Sequence, residues 1–451
     1  MVVTESRRIT LDDLSRYFRE GCKDPARLSI GGEFELLGVD PDSARAVGYN
    51  GVPGVHLILD RLLEEPQWGP QCEGGELICL LGANGSNITL EPGGQLELSG
   101  KPSPGLGGVR DELSSYVTQL RRVTEDLAVD FIGAGMHPVS RADEIPFVNK
   151  CRYGIMAPYL EKQGRLAHTM MKETATVQVN LDYTSEEDAM EKFRTAMGIT
   201  SIVSAMYANS PLSGGRPNGF MTMREHVWMH TDPDRCGLLP FAFGEDAAFE
   251  DYLHYALAVP MLFIIREGEW IPMKGIPFGE YLKKGVEGFH AIREDWDLHQ
   301  STLFPEVRLK QYLEIRGVDG QAPGMVITVP AFWMGILYDD GARKAAWELV
   351  RDWSFSERRQ LHASVCRLGL HAKIRGTLLL DLARELVRIA REGLSRLGEE
   401  VQLLGPLEEL ILGAGKCPAE VLLEKWDQSG HDLHRLVKES SFFQSSLVSP
   451  A

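Results

Sequence analysis

Glu306-Val-Arg-Leu-Lys-Gln-Tyr-Leu-Glu-Ile-Arg316 alternates between two kinds of side chain. Glu306, Arg308, Lys310, Tyr312, Glu314 and Arg316 occupy even positions. Val307, Leu309, Leu313 and Ile315 occupy odd ones, with Gln311 the exception. Side chains of a strand alternate with a period of two. The stretch therefore predicts one strand with an apolar face and a face bearing carboxylates, cations and a phenol. A solvated strand has no need of so regular a mixture of both charges. A wall that meets a charged substrate, phosphates and a metal ion does.

Three other stretches repeat the habit. In 28–37, Glu33 and Glu35 share a face, opposed by Ile30, Phe34 and Leu36. In 88–99, Glu91, Gln95 and Glu97 share parity, although Pro92-Gly93-Gly94 predicts a bend or bulge in that strand. In 176–183, Thr176, Gln178, Asn180 and Asp182 oppose Val177, Val179 and Leu181. Four strands with polar faces predict one sheet lining one pocket.

The chain has 451 residues, 43% hydrophobic and 25% charged, which is globular and long enough for a large core. Its net charge of −17, with no basic run, argues against nucleic acid as a partner. No apolar run is long enough to span a membrane, and residues 1–10 lack a signal-peptide core. A soluble cytoplasmic protein is expected. Seven scattered cysteines without a CxxC pair predict reduced thiols.

Helices are expected over 11–21 (capped by Thr10), 109–129, 185–209, 248–258, 330–337 and 341–353. After that the character changes. Leu379, Leu382, Ala383, Leu386, Ile389 and Ala390 recur at helical spacing, and shorter helices follow. This organisation predicts an α+β catalytic domain over 1–370 and a helical C-terminal subdomain over 371–451 packed on it.

Glu33, Glu35, Glu91, Glu97 and Glu314 carry the chemistry. Two carboxylates about 4 Å apart repel by about 4 kcal/mol at an effective dielectric near 20, so a cluster needs cations. Hard oxygen donors with few histidines point to Mg²⁺, with Mn²⁺ as the alternative, and not to zinc. Separate surface glutamates are the competing reading, disfavoured by Gly31-Gly32 and Gly93-Gly94, which suit close backbone approach. Arg308, Lys310 and Arg316 suit a phosphate clamp, with ion pairs across the strand face as the alternative. Arg224 suits a bidentate grip on a carboxylate, with a salt bridge as the alternative. His226 and His230 have metal-like spacing but lack the glutamate of a zinc-protease motif. No Walker A, nucleophile-elbow or dinucleotide fingerprint is present.

Several motifs, in order, carry a specific resemblance: Ile88-Thr-Leu-Glu-Pro-Gly-Gly-Gln-Leu-Glu-Leu-Ser99, Thr176-Val-Gln-Val-Asn-Leu-Asp182, Pro217-Asn-Gly-Phe220, Leu303-Phe-Pro-Glu-Val-Arg-Leu-Lys310 and Tyr312-Leu-Glu-Ile-Arg-Gly317. The chain resembles the glutamate–cysteine ligases of the plant and proteobacterial type. The resemblance implies a glutamine-synthetase-like catalytic fold, with a curved, largely antiparallel sheet forming a funnel and helices outside. It implies a ligase that joins the γ-carboxylate of L-glutamate to the α-amine of L-cysteine through γ-glutamyl phosphate, using ATP and Mg²⁺. Glu33, Glu35, Glu91, Glu97, Gln178 and Glu314 would hold metal. Arg308, Lys310 and Arg316 would bind the nucleotide phosphates. Glu314, Lys310 and Arg316 would act in phosphoryl transfer, and Arg224, Trp228 and Thr176 would bind substrate. Glu314→Gln is expected to abolish transfer and leave the fold intact. Monomer and homodimer both remain open.

Departures from the family pattern matter too. Where the family commonly has Gly-Thr-Glu-His-Glu-Lys-Phe, this chain has Gly31-Gly-Glu-Phe-Glu-Leu-Leu37. Aromatic positions elsewhere are replaced, among them by Met136 and Leu262, which predicts a more aliphatic acceptor pocket. A γ-glutamyl ligase for a small apolar amino acid other than cysteine, such as an alkyl or alkynyl glycine, is the alternative reading. A non-catalytic nucleotide-binding homologue is a remoter one.

Overall fold

The computed structural model describes residues 7–444. Nine strands form its main sheet: β1 (Ile30–Val39), β2 (Trp68–Glu73), β3 (Glu76–Gly82), β4 (Asn87–Leu90), β5 (Leu96–Ser99), β6 (Asp130–Ile132), β7 (Val177–Leu181), β8 (Val307–Leu309) and β9 (Leu313–Ile315). Their order is β8-β9-β7-β1-β5-β4-β3-β2, with β6 paired to the far end of β1. Every pairing in this sheet is antiparallel. The expected α+β architecture, a largely antiparallel sheet under outer helices, is what the chain forms.

Two expectations need correction. The stretch 306–316 is not one strand but a hairpin, β8–β9, whose tip is Lys310–Tyr312. The stretch 88–99 is likewise not a bent strand but the hairpin β4–β5, reversed at Glu91–Gln95. Facing side chains nevertheless stay on one face. Arg308 opposes Glu314, and Thr89 opposes Glu97. In both hairpins even residues meet even ones and odd meet odd, so folding back preserves parity. Gln311, the one polar residue at an odd position, sits at the hairpin tip, where its Nε2 donates to the Tyr17 carbonyl.

The odd-numbered apolar face of the hairpin is sealed. Val307, Leu309, Leu313 and Ile315 are at most 1% exposed. They pack against α4 (Glu186–Met206), which begins where the Ser185 hydroxyl accepts the Asp188 amide. Most of α4 is buried around its whole circumference, because the sheet lies on one side and later helices on the other. Other helices used below are α1 (Leu106–Val123), α2 (Cys151–Gln163), α3 (Ala167–Glu173), α5 (Met223–Trp228), α6 (Thr328–Leu337), α7 (Phe355–Leu368) and α8 (Leu379–Leu397).

The C-terminal stretch packs directly on the rest. A Cβ on Gly393 of α8 would lie 1.9 Å from the Gly335 carbonyl of α6, so these helices touch backbone to backbone. The Phe442 amide donates to the Phe131 carbonyl of β6. One hydrophobic cluster runs from Leu14 to Phe442. No helix among the described residues is long and apolar enough to cross a membrane. All seven cysteines are free thiols.

Candidate active site

The polar faces of β8–β9, β7, β1 and β4–β5 line a cavity of about 550 Å³, the size of a small-molecule site. Glu33, Glu35, Glu91, Glu97, Thr176, Gln178, Arg224, Trp228, Arg308, Lys310 and Arg316 all reach it. Glu314 lies behind the cations and does not line it. Met136 and Leu262 do not line it either. Both are 2% exposed and belong to the core.

One wall is acidic. Register places Glu35 directly opposite Glu97 on β1 and β5. Glu35, Glu91 and Glu97 each offer an oxygen, all within 4.8 Å of one another. Like charges directly opposite in a sheet destabilise it, and burial makes that worse. Burial and the neighbouring Glu91 push the Glu97 carboxyl up to about 7. Burial, Glu91 and Glu97 raise Glu35 well above the usual carboxylate range. Glu33, which accepts from Asn180 Nδ2 at 2.8 Å, is also pushed up to about 7 by burial and by Glu314 and Glu97. A divalent cation with hard-oxygen preference relieves this repulsion. The donor set of Glu35, Glu91 and Glu97 fits Mg²⁺.

The opposite wall is basic. Glu314 is fully buried and pairs with Lys310 at 2.6 Å, with Arg316 at 2.5 Å and with Arg308. Burial alone would raise its pKa, but the three cations hold it well below the usual carboxylate range. The three cations pair with a carboxylate on their own hairpin, as the ion-pair reading expects, and they also face the cavity. Glu314 is their counter-ion; the sequence groups it with metal-holding carboxylates, but it neither lines the cavity nor joins the Glu35, Glu91 and Glu97 cluster. Arg316 Nη1 donates to Gln178 Oε1 at 2.6 Å, so that amide also leans toward the basic wall.

Between the walls stands α5. Its Arg224 donates from Nη2 to the Arg316 carbonyl at 3.0 Å and lies 5.7 Å from the Trp228 ring centre. Arg224 is 3% exposed, yet its Nε has no partner, and neither has Trp228 Nε1. Buried donors left unpaired beside a cavity are suited to a ligand carboxylate. The Asp319 carboxylate fixes the start of this helix, accepting from Asn209 N, Ser210 Oγ and Thr222 Oγ1. Thr176 is structural at its polar atoms. Its amide donates to Glu35 Oε2 and its hydroxyl to the Val318 carbonyl.

Sequence reasoning missed part of the site. Lys150 Nζ and the Tyr153 hydroxyl both donate to the Leu90 carbonyl, at 2.8 and 2.9 Å, holding the acidic hairpin from the α2 side. Met156, Met170 and Met171, from α2 and α3, contribute to the apolar part of the wall beside Leu90, Trp228 and Phe304. No alternation of polar and apolar residues marks them, because helices bring them to the cavity from one side. The rings of His226 and His230 lie 4.3 Å apart, tilted by 48°, outside the cavity lining.

The model of glutamate–cysteine ligase family 2 matches residues 29–439. The chain belongs to that family. Chloroplastic glutamate–cysteine ligases are similar over most of its length. The one from Arabidopsis thaliana is 40% identical over 95% of this chain and 82% of its own, and the one from Medicago truncatula is 39% identical over 95% and 85%. The glutamate–cysteine ligase of Francisella tularensis, solved in complex with AMP, shares the fold. Its TM-score is 0.54 at 14% identity, covering 95% of this chain and 91% of that one. The expectation of a cytoplasmic protein is overturned by the plant members of the glutamate–cysteine ligase family, which are chloroplastic enzymes.

Proposed function

We propose that this funnel uses ATP to join the γ-carboxylate of L-glutamate to the α-amine of L-cysteine. The observation that carries the reading is one cavity with a three-carboxylate wall facing a three-cation hairpin, in a chain of this family. Arg308, Lys310 and Arg316 hold the phosphates. Arg316 and Lys310 neutralise charge on the phosphoryl group in transfer, and Glu314 keeps all three cations aimed. Glu35, Glu91 and Glu97, with Glu33 and Gln178 beside them, hold Mg²⁺. Bound there, the ion screens the repulsion between the glutamate carboxylate and the triphosphate. Arg224 and Trp228 hold glutamate by their unpaired donors.

Glutamate's γ-carboxylate attacks the γ-phosphorus and ADP leaves. The acceptor's amine then attacks the acyl phosphate, and phosphate leaves as the amide forms. The funnel's contribution is alignment and exclusion of competing water. The test is glutamate-dependent ADP formation with Mg²⁺ and cysteine, with γ-glutamylcysteine identified by mass. ADP formation that ignores glutamate would sink the reading.

A second reading has one observation in its favour. Met156, Met170 and Met171 give the cavity an aliphatic patch, and flexible thioethers accommodate varied apolar side chains. A small apolar amino acid in place of cysteine is the acceptor this patch would suit. Discrimination between such side chains is worth about 1–3 kcal/mol, so a few substitutions suffice to change it. A competition assay in which cysteine wins by more than about tenfold in kcat/KM would remove this reading.

A further inference from the structure

Glu306 opens the alternating stretch yet does not reach the cavity. It turns instead into a buried group with Glu225 of α5 and His362 of α7. His362 Nε2 lies 2.8 Å from Glu225 Oε1 and 3.7 Å from Glu306 Oε1. Its Nδ1 meets the Ser201 hydroxyl of α4 at 3.1 Å. The three side chains are 1%, 3% and 6% exposed for Glu225, His362 and Glu306. The group sits directly beneath both working arginines. Glu225 follows Arg224 in the chain. The Glu306 carbonyl accepts the Arg316 amide at 3.0 Å, and Arg224 Nη2 donates to the Arg316 carbonyl. A Cβ on Gly317 would lie 2.4 Å from Glu306 Oε2, so the carboxylate fills the space under the residue after Arg316.

We propose that His362, shared between Glu225 and Glu306, is a positioning residue that locks the glutamate-gripping helix α5 to the phosphate hairpin β8–β9. Two buried carboxylates on separate elements repel each other unless a cation sits between them. The imidazolium is that cation, since Glu225 and Glu306 raise its pKa to about 10 against the effect of burial. The fixed spacing of α5 and the hairpin then sets the distance between Arg224 and Arg316, and so between bound glutamate and the γ-phosphate. Misplacement of about 1 Å at such a junction costs about 10²-fold in rate. The three groups each bring a polar atom within 4.8 Å of the others, outside the cavity lining.

The inference rests on the proposed function, and the experiment separates the two. Glutamate-dependent ADP formation is measured for the wild type, His362→Gln and His362→Lys, with KM for glutamate and for ATP taken separately from kcat. The expected result is that His362→Gln raises both KM values and lowers kcat/KM by about tenfold or more, and that His362→Lys recovers much of the loss by restoring a cation. Unchanged KM values with only a smaller active fraction would show a packing role and overturn the inference. So would equal losses for Gln and Lys. If His362→Gln does not fold, Ser201→Ala, which removes only the Nδ1 partner, is read the same way: raised KM values support the inference and unchanged ones overturn it. A wild type without glutamate-dependent ADP would remove the proposed function, and the inference with it.

Discussion

Arg224 spends one donor on a backbone carbonyl and keeps Nε unpaired beside the cavity. A lysine there retains charge but loses the planar fork. Arg224→Lys should raise KM for glutamate by about tenfold or more while KM for ATP moves little, measured by initial rates. Glu97→Gln removes one of three clustered carboxylates. The Mg²⁺ concentration for half-maximal rate should rise on the order of tenfold, read from a metal titration. Glu314→Gln has a different expected outcome from the one its sequence position suggests. It would leave Arg308, Lys310 and Arg316 without their shared counter-ion. The variant should lose about 3–5 kcal/mol of stability as well as activity, measured by denaturant unfolding. His362 gives a pH signature. Its folded-state pKa of about 10 stands above the ordinary value of 6.5. Its contribution to stability is therefore complete below about pH 6.5 and is lost as pH rises toward about 10. Thermal unfolding of the wild type should decline more steeply over that window than unfolding of His362→Gln; parallel curves would contradict the cluster. Glu33, Glu35, Glu91 and Glu97 were legible because alternation is a strong local signal. Lys150, Met156, Met170 and Met171 were not, because their place in the cavity depends on how α2 and α3 dock against the sheet. Met136 and Leu262, expected from the resemblance to reshape an acceptor pocket, are instead buried in the core.

The two hairpins show what alternation conveys and what it hides. A period of two reports which side chains share a face and is silent on where the chain reverses, provided the reversal keeps even residues opposite even ones. Both β4–β5 and β8–β9 do so, which is why the faces were legible and the turns were not. Gln311 was the clue to one turn, a polar residue at an apolar position. Pro92-Gly93-Gly94 was the clue to the other. Gly94 has φ +89°, a conformation that suits glycine. A Cβ on Gly93 would come within 2.4 Å of the Lys172 carbonyl, so this turn is pressed against α3. Gly93→Ala should cost about 1–3 kcal/mol of stability and weaken Mg²⁺ dependence by displacing Glu91. Thermal unfolding with and without Mg²⁺ checks both effects. A variant with wild-type unfolding and metal response would mean the turn tolerates movement and does not position the carboxylate.

Across the molecule, the sheet's antiparallel order brings acidic strands β1 and β5, with Glu91 of the β4–β5 turn, to one side of the cavity and the basic hairpin to the other, with β7 between. That arrangement requires strands more than 200 residues apart in sequence (β5 ends at Ser99 and β8 begins at Val307) to flank one space. Periodicity identified the polar faces and predicted one sheet lining one pocket; it did not give the order of the strands that sets the acidic wall against the basic one. The helices that close the remaining side carry Met156, Met170 and Met171 into the cavity lining. The central claim is tested most directly by mass spectrometry of products formed from ATP, Mg²⁺, L-glutamate and a panel of L-amino acids that includes cysteine. The account predicts a γ-glutamyl amide whose formation matches ADP release and requires glutamate, with γ-glutamylcysteine the dominant product. ADP released without glutamate, or glutamate consumed without any amide product, would contradict it.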